Sequence, residues 1–146
     1  MHDHLSEITV KRVIDADEGA GDNVAKVGQI IDHQGYEGAT YIIVTGTIAD
    51  ADATFTVLLD EGDTATLTDA AAVADANMIS QSSAAPETAA AFNFGDDNEV
   101  RTLGYIGSKR YTRLTLTPAA NTGAWDIAAC CVLSHRRALP FAQPAS

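Results

Sequence analysis

The chain is expected to fold as an all-β protein, a single-domain antiparallel β-sandwich or jelly-roll-like barrel of about seven or eight strands with at most one short helix. Three observations point there. Short stretches rich in Val, Ile, Thr, Tyr and Phe alternate apolar with polar residues. Clusters of Gly, Asp, Asn and Pro separate them at regular intervals. Alanine supplies much of the 46% hydrophobic fraction and aromatics only 6%, which fits a thin domain packed with small residues better than a deep-pocketed enzyme.

In chain order, Leu5 to Ile14 alternates and reads as a strand with a bulge near Arg12. Asp15 to Asn23 reads as an acidic, turn-rich loop, and Val24 to Ile31 as a shorter strand region. Thr40 to Ile48 is the most convincing strand, and its continuous apolar centre, Tyr41 to Val44, suggests burial on both faces. Thr54 to Asp60 places Phe55, Val57 and Leu59 on one face. Ala65 to Thr68 reads as a short strand and Ala70 to Met78 as the one short helix, capped by Thr68 or Asp69. Ser80 to Ala91 reads as a loop. Glu99 to Ile106 and Arg110 to Thr117 both alternate across the tight turn Gly107-Ser-Lys, so they read as a hairpin. Trp125 to Ser134 closes the sheet with Ile127, Ala129, Cys131 and Leu133 on one face. Residues 1–146 thus form one β domain, with a short N-terminal arm (1–5) and an extended, proline-bearing C-terminal tail (135–146).

The 146 residues carry 20 acids and nine bases, a net charge of −11. Nucleic-acid coating by the whole molecule is therefore not expected. The charges are unevenly spread. Residues 1–100 hold 19 acids and three bases (Lys11, Arg12, Lys26), while residues 101–146 hold only Asp126 against Arg101, Lys109, Arg110, Arg113, Arg136 and Arg137. The N-terminus lacks an apolar signal segment, and no run has the length of a membrane span, so a protein without a membrane partner is expected. Cys130 and Cys131 are adjacent and read as two small hydrophobes, with no disulfide framework around them.

Candidate chemistry is sparse. The clusters Asp15/Asp17/Glu18, Asp50/Asp52, Asp60/Glu61/Asp63 and Asp96/Asp97 match no calcium-loop spacing and read as solvated turns. His2 and His4 have no zinc-ligand spacing to His33 or His135. There is no G-x-S-x-G and no phosphate loop. The expectation is a protein that is not an enzyme and has no catalytic residue, metal or cofactor. The basic set differs. Lys109, Arg110 and Arg113 lie in or beside the expected hairpin, and Arg136 and Arg137 follow the last strand. If that strand pairs with Arg110–Thr117, the five form one patch suited to an acidic protein surface.

Met1-His-Asp-His-Leu with Ile8 to Ile14, Tyr41 to Ile48, Phe55 to Asp63 and, most specifically, Leu103-Gly-Tyr-Ile-Gly-Ser-Lys-Arg-Tyr-Thr-Arg-Leu-Thr-Leu-Thr resemble a family of small head-associated virion proteins of tailed bacteriophages. The resemblance implies a structural protein made in the bacterial cytoplasm and assembled into the virion. It implies, foremost, a capsid decoration (cement) protein that binds the major capsid protein and is a homo-oligomer, a trimer being the expectation. A head–tail joining or tail component is the alternative, and a calcium- or carbohydrate-binding surface module a third. Lys109, Arg110, Arg113, Arg136 and Arg137 would face the shell and the acidic loops water.

Overall fold

The computed structural model describes residues 3–82 and 84–137. After a 3-10 turn at Leu5–Glu7, the strands are β1 (Thr9–Gly19), β2 (Lys26–Val27), β3 (Ile31–Asp32), β4 (Tyr36–Ile48), β5 (Thr54–Gly62), β6 (Ala71–Ala72), β7 (Met78–Ile79), β8 (Phe92–Asn93), β9 (Val100–Tyr105), β10 (Tyr111–Ala119) and β11 (Trp125–Arg136), with one helix, α1 (Pro86–Ala90). They form two antiparallel sheets. The first runs β1-β11-β4-β9-β7; the second runs β2-β10-β5-β6, with β3 also on β10 and β8 also on β5. The expected sandwich is therefore observed, and the sheets do not close into a barrel. Six long strands carry it, and five two-residue strands patch its margins. Among the described residues no helix is long and apolar enough to cross a membrane.

Period-two alternation decides which side chains enter the core. Tyr41, Ile43, Leu103, Ile127, Cys131 and Leu133 point inward from the first sheet, and Phe55, Val57, Leu59, Leu114 and Leu116 from the second. The expected faces of β5 and β11 are those that turn inward. Burial of Tyr41 to Val44 on both faces is not. Ile42 is half-buried and Val44 is 44% exposed, because among the described residues nothing covers the outer side of this central strand. Cys130 and Cys131 point to opposite faces, both free, with Cys131 buried and its thiol pushed up to about 12 by that burial.

Several local expectations change. β1 has its bulge after Arg12 but continues through Gly19, so Asp15, Asp17 and Glu18 stand on a strand beside β11 rather than in a loop. Val24 to Ile31 yields two separate short strands on β10. Ala65 to Thr68 is a turn, and Ala70 to Met78 is not the helix: β6, a 3-10 turn at Asp75–Asn77 and the start of β7 occupy it. Val73 and Met78 are buried there as members of extended segments. The helix lies in the stretch read as a loop, where Pro86 at its first turn presets the backbone. Residues 138–146 of the expected tail lie outside the described residues, and β11 extends through Arg136.

The largest change concerns the expected hairpin. β9 belongs to the first sheet and β10 to the second, so Gly107 to Arg110 crosses from one sheet to the other. The crossing folds tightly over Tyr105: a Cβ built on Gly107 would stand 2.5 Å from the Tyr105 hydroxyl. Lys109 N then donates to that hydroxyl at 3.0 Å.

α1 has a definite task. β5 is covered on its outer edge by β6 and β8 only at its two ends. Between them Leu59 N donates to Glu87 Oε1 at 2.7 Å, and desolvation raises the Glu87 carboxyl above its usual range. Glu87→Ala is expected to cost about 1–3 kcal/mol by leaving that N–H unpaired, with Glu87→Gln losing much less. Urea midpoints of the two variants check this, and equal losses would contradict it.

Candidate docking surface

The β9–β10 crossing, the turn between β3 and β4, and the end of β11 meet at one end of the sandwich. They enclose an open depression of about 470 Å³ whose lining includes His33, Tyr36, Tyr105, Lys109, Arg110 and Arg137. Three of the five expected interface residues therefore come together. They do so without the strand pairing that was expected to gather them, since β11 pairs with β1 and β4 and not with β10. Arg113 stands farther along β10, opposite Asp60. Arg136 lies on β11 opposite Tyr36 and is exposed.

Most of these cations already have an acid. Lys109 Nζ lies 2.5 Å from Asp63 Oδ2. Arg110 holds Asp32 through Nε and Nη2, both at 2.9 Å, and donates to Gln34 Oε1 at 2.6 Å. Its guanidinium also stands 5.0 Å from the Tyr111 ring centre. Arg137 Nε lies 3.4 Å from Glu37, and Arg113 Nη2 3.9 Å from Asp60. Arg113 Nε is buried without a hydrogen-bond partner. Asp63 raises the Lys109 ammonium, Asp32 raises the Arg110 guanidinium, and Arg110 lowers the Asp32 carboxyl. These acids, Asp32, Glu37, Asp60 and Asp63, are the functional neighbours that the sequence alone did not reveal. Among the described residues Arg136 forms no ion pair.

The floor of the depression is polar and buried. His33 Nε2 and Thr112 Oγ1 are 2.5 Å apart, and the same hydroxyl is hydrogen-bonded to the Tyr41 hydroxyl. Tyr105 packs on the His33 ring at 5.1 Å and donates to Glu61 Oε2 at 2.6 Å. Burial pulls His33 down to about 4, so the ring is neutral at pH 7, and burial pushes Tyr41 and Tyr105 above the usual tyrosine range. Exposed ion pairs such as those of Lys109, Arg110 and Arg137 contribute little stability.

Its fold occurs in a virus. The chain superposes on part of a chain in the structure of infectious bursal disease virus, Gx strain, with a TM-score of 0.51 and 9% identity, over 88% of this chain and 32% of that one. At that identity the likeness is one of fold, and this chain spans about a third of the other's length. No protein-family model and no curated protein matches the sequence.

The acidic turns hold their own backbone. Asp50 Oδ2 accepts from Thr122 N and its hydroxyl, both at 2.7 Å, and Asp69 accepts from Asp63 N at 2.8 Å and from Thr64 Oγ1 at 2.5 Å. These bonds lower both carboxyls, Asp69 to about 2. Among the described residues no three His, Cys, Asp or Glu side chains converge as a metal site.

Proposed function

We propose that this chain is a structural protein of a virion, and that it decorates a phage head by binding the lattice of the major capsid protein. The observation that carries the reading is the two-sheet sandwich, a fold shared with a chain of a virus structure. The resemblance of Leu103 to Thr117 to head-associated phage proteins supports the finer assignment. Lys109, Arg110 and Arg137 face the shell in this reading. Their acids, Asp63, Asp32 and Glu37, are held at the surface and give way to carboxylates of the shell. Each such exchange is weak, and attachment comes from many copies on a repeating surface.

The test is to assemble heads without this protein, measure their resistance to heat and osmotic shock, and add it back. Restored resistance and saturable binding are expected. Unchanged resistance with no binding overturns the proposal, and a count of about six or twelve copies per virion would assign the protein to a ring at the neck instead. Arg110→Glu should weaken attachment and reduce its salt sensitivity, because the cation offered to the shell is lost and Asp32 then faces a second carboxylate rather than a guanidinium.

A further inference from the structure

The floor of the depression holds one group whose hydrogen bonding is incomplete. His33 is 9% exposed. Its Nε2 is taken by Thr112, and its Nδ1 has no hydrogen-bond partner among the described residues. Nδ1 is not sealed in, because Arg113 Nε is the one fully buried side-chain nitrogen or oxygen left unpaired among the described residues. The ring lines the depression, so Nδ1 opens onto it. With Thr112 donating to Nε2, the neutral ring carries its proton on Nδ1 and presents an N–H there.

Charged and titratable groups face this ring from every element packed around it. Asp32 of β3 and Glu37 of β4 flank the turn that carries it. Tyr41 of β4 lies beyond Thr112, and its hydroxyl faces the buried Cys131 thiol of β11. Tyr105 of β9 covers the ring and holds Glu61 of β5. Lys109 and Arg110 come from the crossing, and Arg137 from just past the end of β11. Each of these three cations already answers to one acid, Asp63, Asp32 and Glu37 in turn. An incoming carboxylate gains net positive charge from them only by breaking a pair. Of all these groups, His33 alone can add a positive charge without doing so, and the adjacent Asp32 favours that charge.

We propose that the depression seats a carboxylate of an acidic polypeptide segment on His33 Nδ1, and that the ring takes up a proton as the carboxylate binds. The proton goes to Nε2, which then donates to Thr112, and the Thr112 hydroxyl turns to Tyr41. In the free protein burial holds the ring neutral at pH 7. An opposite charge at Nδ1 works against that burial. Binding and protonation therefore strengthen each other by the same factor. The sign follows: the ring titrates at a higher pH in the complex than in the free protein, so affinity rises as the pH falls from about 7 toward 5, where carboxylates are still ionised. A space of about 470 Å³ accommodates an acidic side chain with its flanking backbone. The inference deepens the docking reading above, on which it rests for the identity of the partner.

Ring-nitrogen NMR of the full chain, with and without poly-L-glutamate at fixed ionic strength, tests it. The His33 signals are those lost in His33→Gln. Without the polymer the ring should stay neutral from about pH 7 to 5, and with it the ring should move toward imidazolium over that range. The affinity of wild type for the polymer should rise about fivefold or more, and that of His33→Gln should not. A ring that stays neutral when the polymer is present overturns the proposal, and so does an equal shift produced by inorganic phosphate. Binding to heads separates this inference from the decoration reading. Attachment that is equally strong at about pH 7 and 5 overturns the inference and leaves decoration standing. A ring shift with poly-L-glutamate but no attachment to heads supports the carboxylate site and overturns decoration.

Discussion

Trp125→Ala is expected to cost about 3–5 kcal/mol of folding stability, the range for removing a fully buried large aromatic. Trp125 is 1% exposed and starts β11 in the first sheet, yet its ring lies 4.5 Å from Phe55 of β5 and 6.5 Å from Phe92 of β8 in the second. Phe55 and Phe92 stack on each other at 4.8 Å. The three rings therefore tie the two sheets together at the end opposite the depression. Lys26 stands over the indole at 5.3 Å, and the absence of a side chain at Gly19 makes room for it, since a Cβ there would lie 2.2 Å from Nε1. Truncation leaves a cavity that cannot collapse without separating the sheets, whereas Trp125→Phe keeps the ring contact with Phe55 and should lose less. Urea unfolding followed by circular dichroism measures both, because the chain has one tryptophan and its fluorescence disappears with it. A loss under about 1 kcal/mol for the alanine variant would mean that the rings do not join the sheets.

Features set by neighbours in sequence were legible, and those set by distant neighbours were not. Period-two alternation fixes the inward sets of β5, β10 and β11, and the irregular spacing around Arg12 marks a real bulge. The apolar run Tyr41 to Val44 misleads, because local hydropathy does not say whether a second layer covers a strand. Ile42 and Val44 instead stand on a face that no other described residue layer covers. Gly107-Ser-Lys has the composition of a hairpin turn, but whether a short turn pairs two strands or carries the chain between layers depends on what waits on the other side. Here Tyr105, Glu61 and Asp63 hold the crossing, and the two acids lie 44 and 46 residues from the Tyr105 hydroxyl and the Lys109 ammonium that they meet. The basic set was legible as residues but not as a surface. Arg110 finds Asp32 at a separation of 78 residues, and only the fold shows that this charge is already answered.

The second large effect is a loss of stability in mild acid, caused by His33. The ring is 9% exposed and its folded-state value falls from 6.5 to about 4, through burial first and against the opposing pull of Asp32. Between those values the unfolded chain binds a proton that the folded chain refuses, so stability is full above about pH 6.5 and falls as the pH drops toward 4. The difference, 6.5 − 4 in pKa, corresponds to about 3 kcal/mol. Hydrogen-bond direction gives the same sign. With a neutral ring, Thr112 can donate to Nε2 and accept from Tyr41; a protonated ring donates from both nitrogens, so Thr112 must turn its proton to Tyr41, whose own proton then needs another acceptor in a buried site. Glu87, raised in the folded state, acts with the opposite sign near its own titration, and the lowered carboxyls of Asp32, Asp50 and Asp69 act only below the ordinary carboxylate range. The window between about pH 6.5 and 5 is therefore His33's. His33→Gln, which keeps a polar partner for Thr112 and cannot titrate, should flatten urea midpoints across that window, while wild type declines through it. A wild-type profile that is flat from pH 7 to 5 would show that the ring is not held neutral by the fold. The consequence reaches the depression, because the turn that carries His33 joins the end of β3, with Asp32 for Arg110, to the start of β4, with Glu37 for Arg137. Charging the ring loosens the segment that presents these acids, so acid should weaken the ordering of the Arg110 and Arg137 pairs before the sandwich as a whole unfolds.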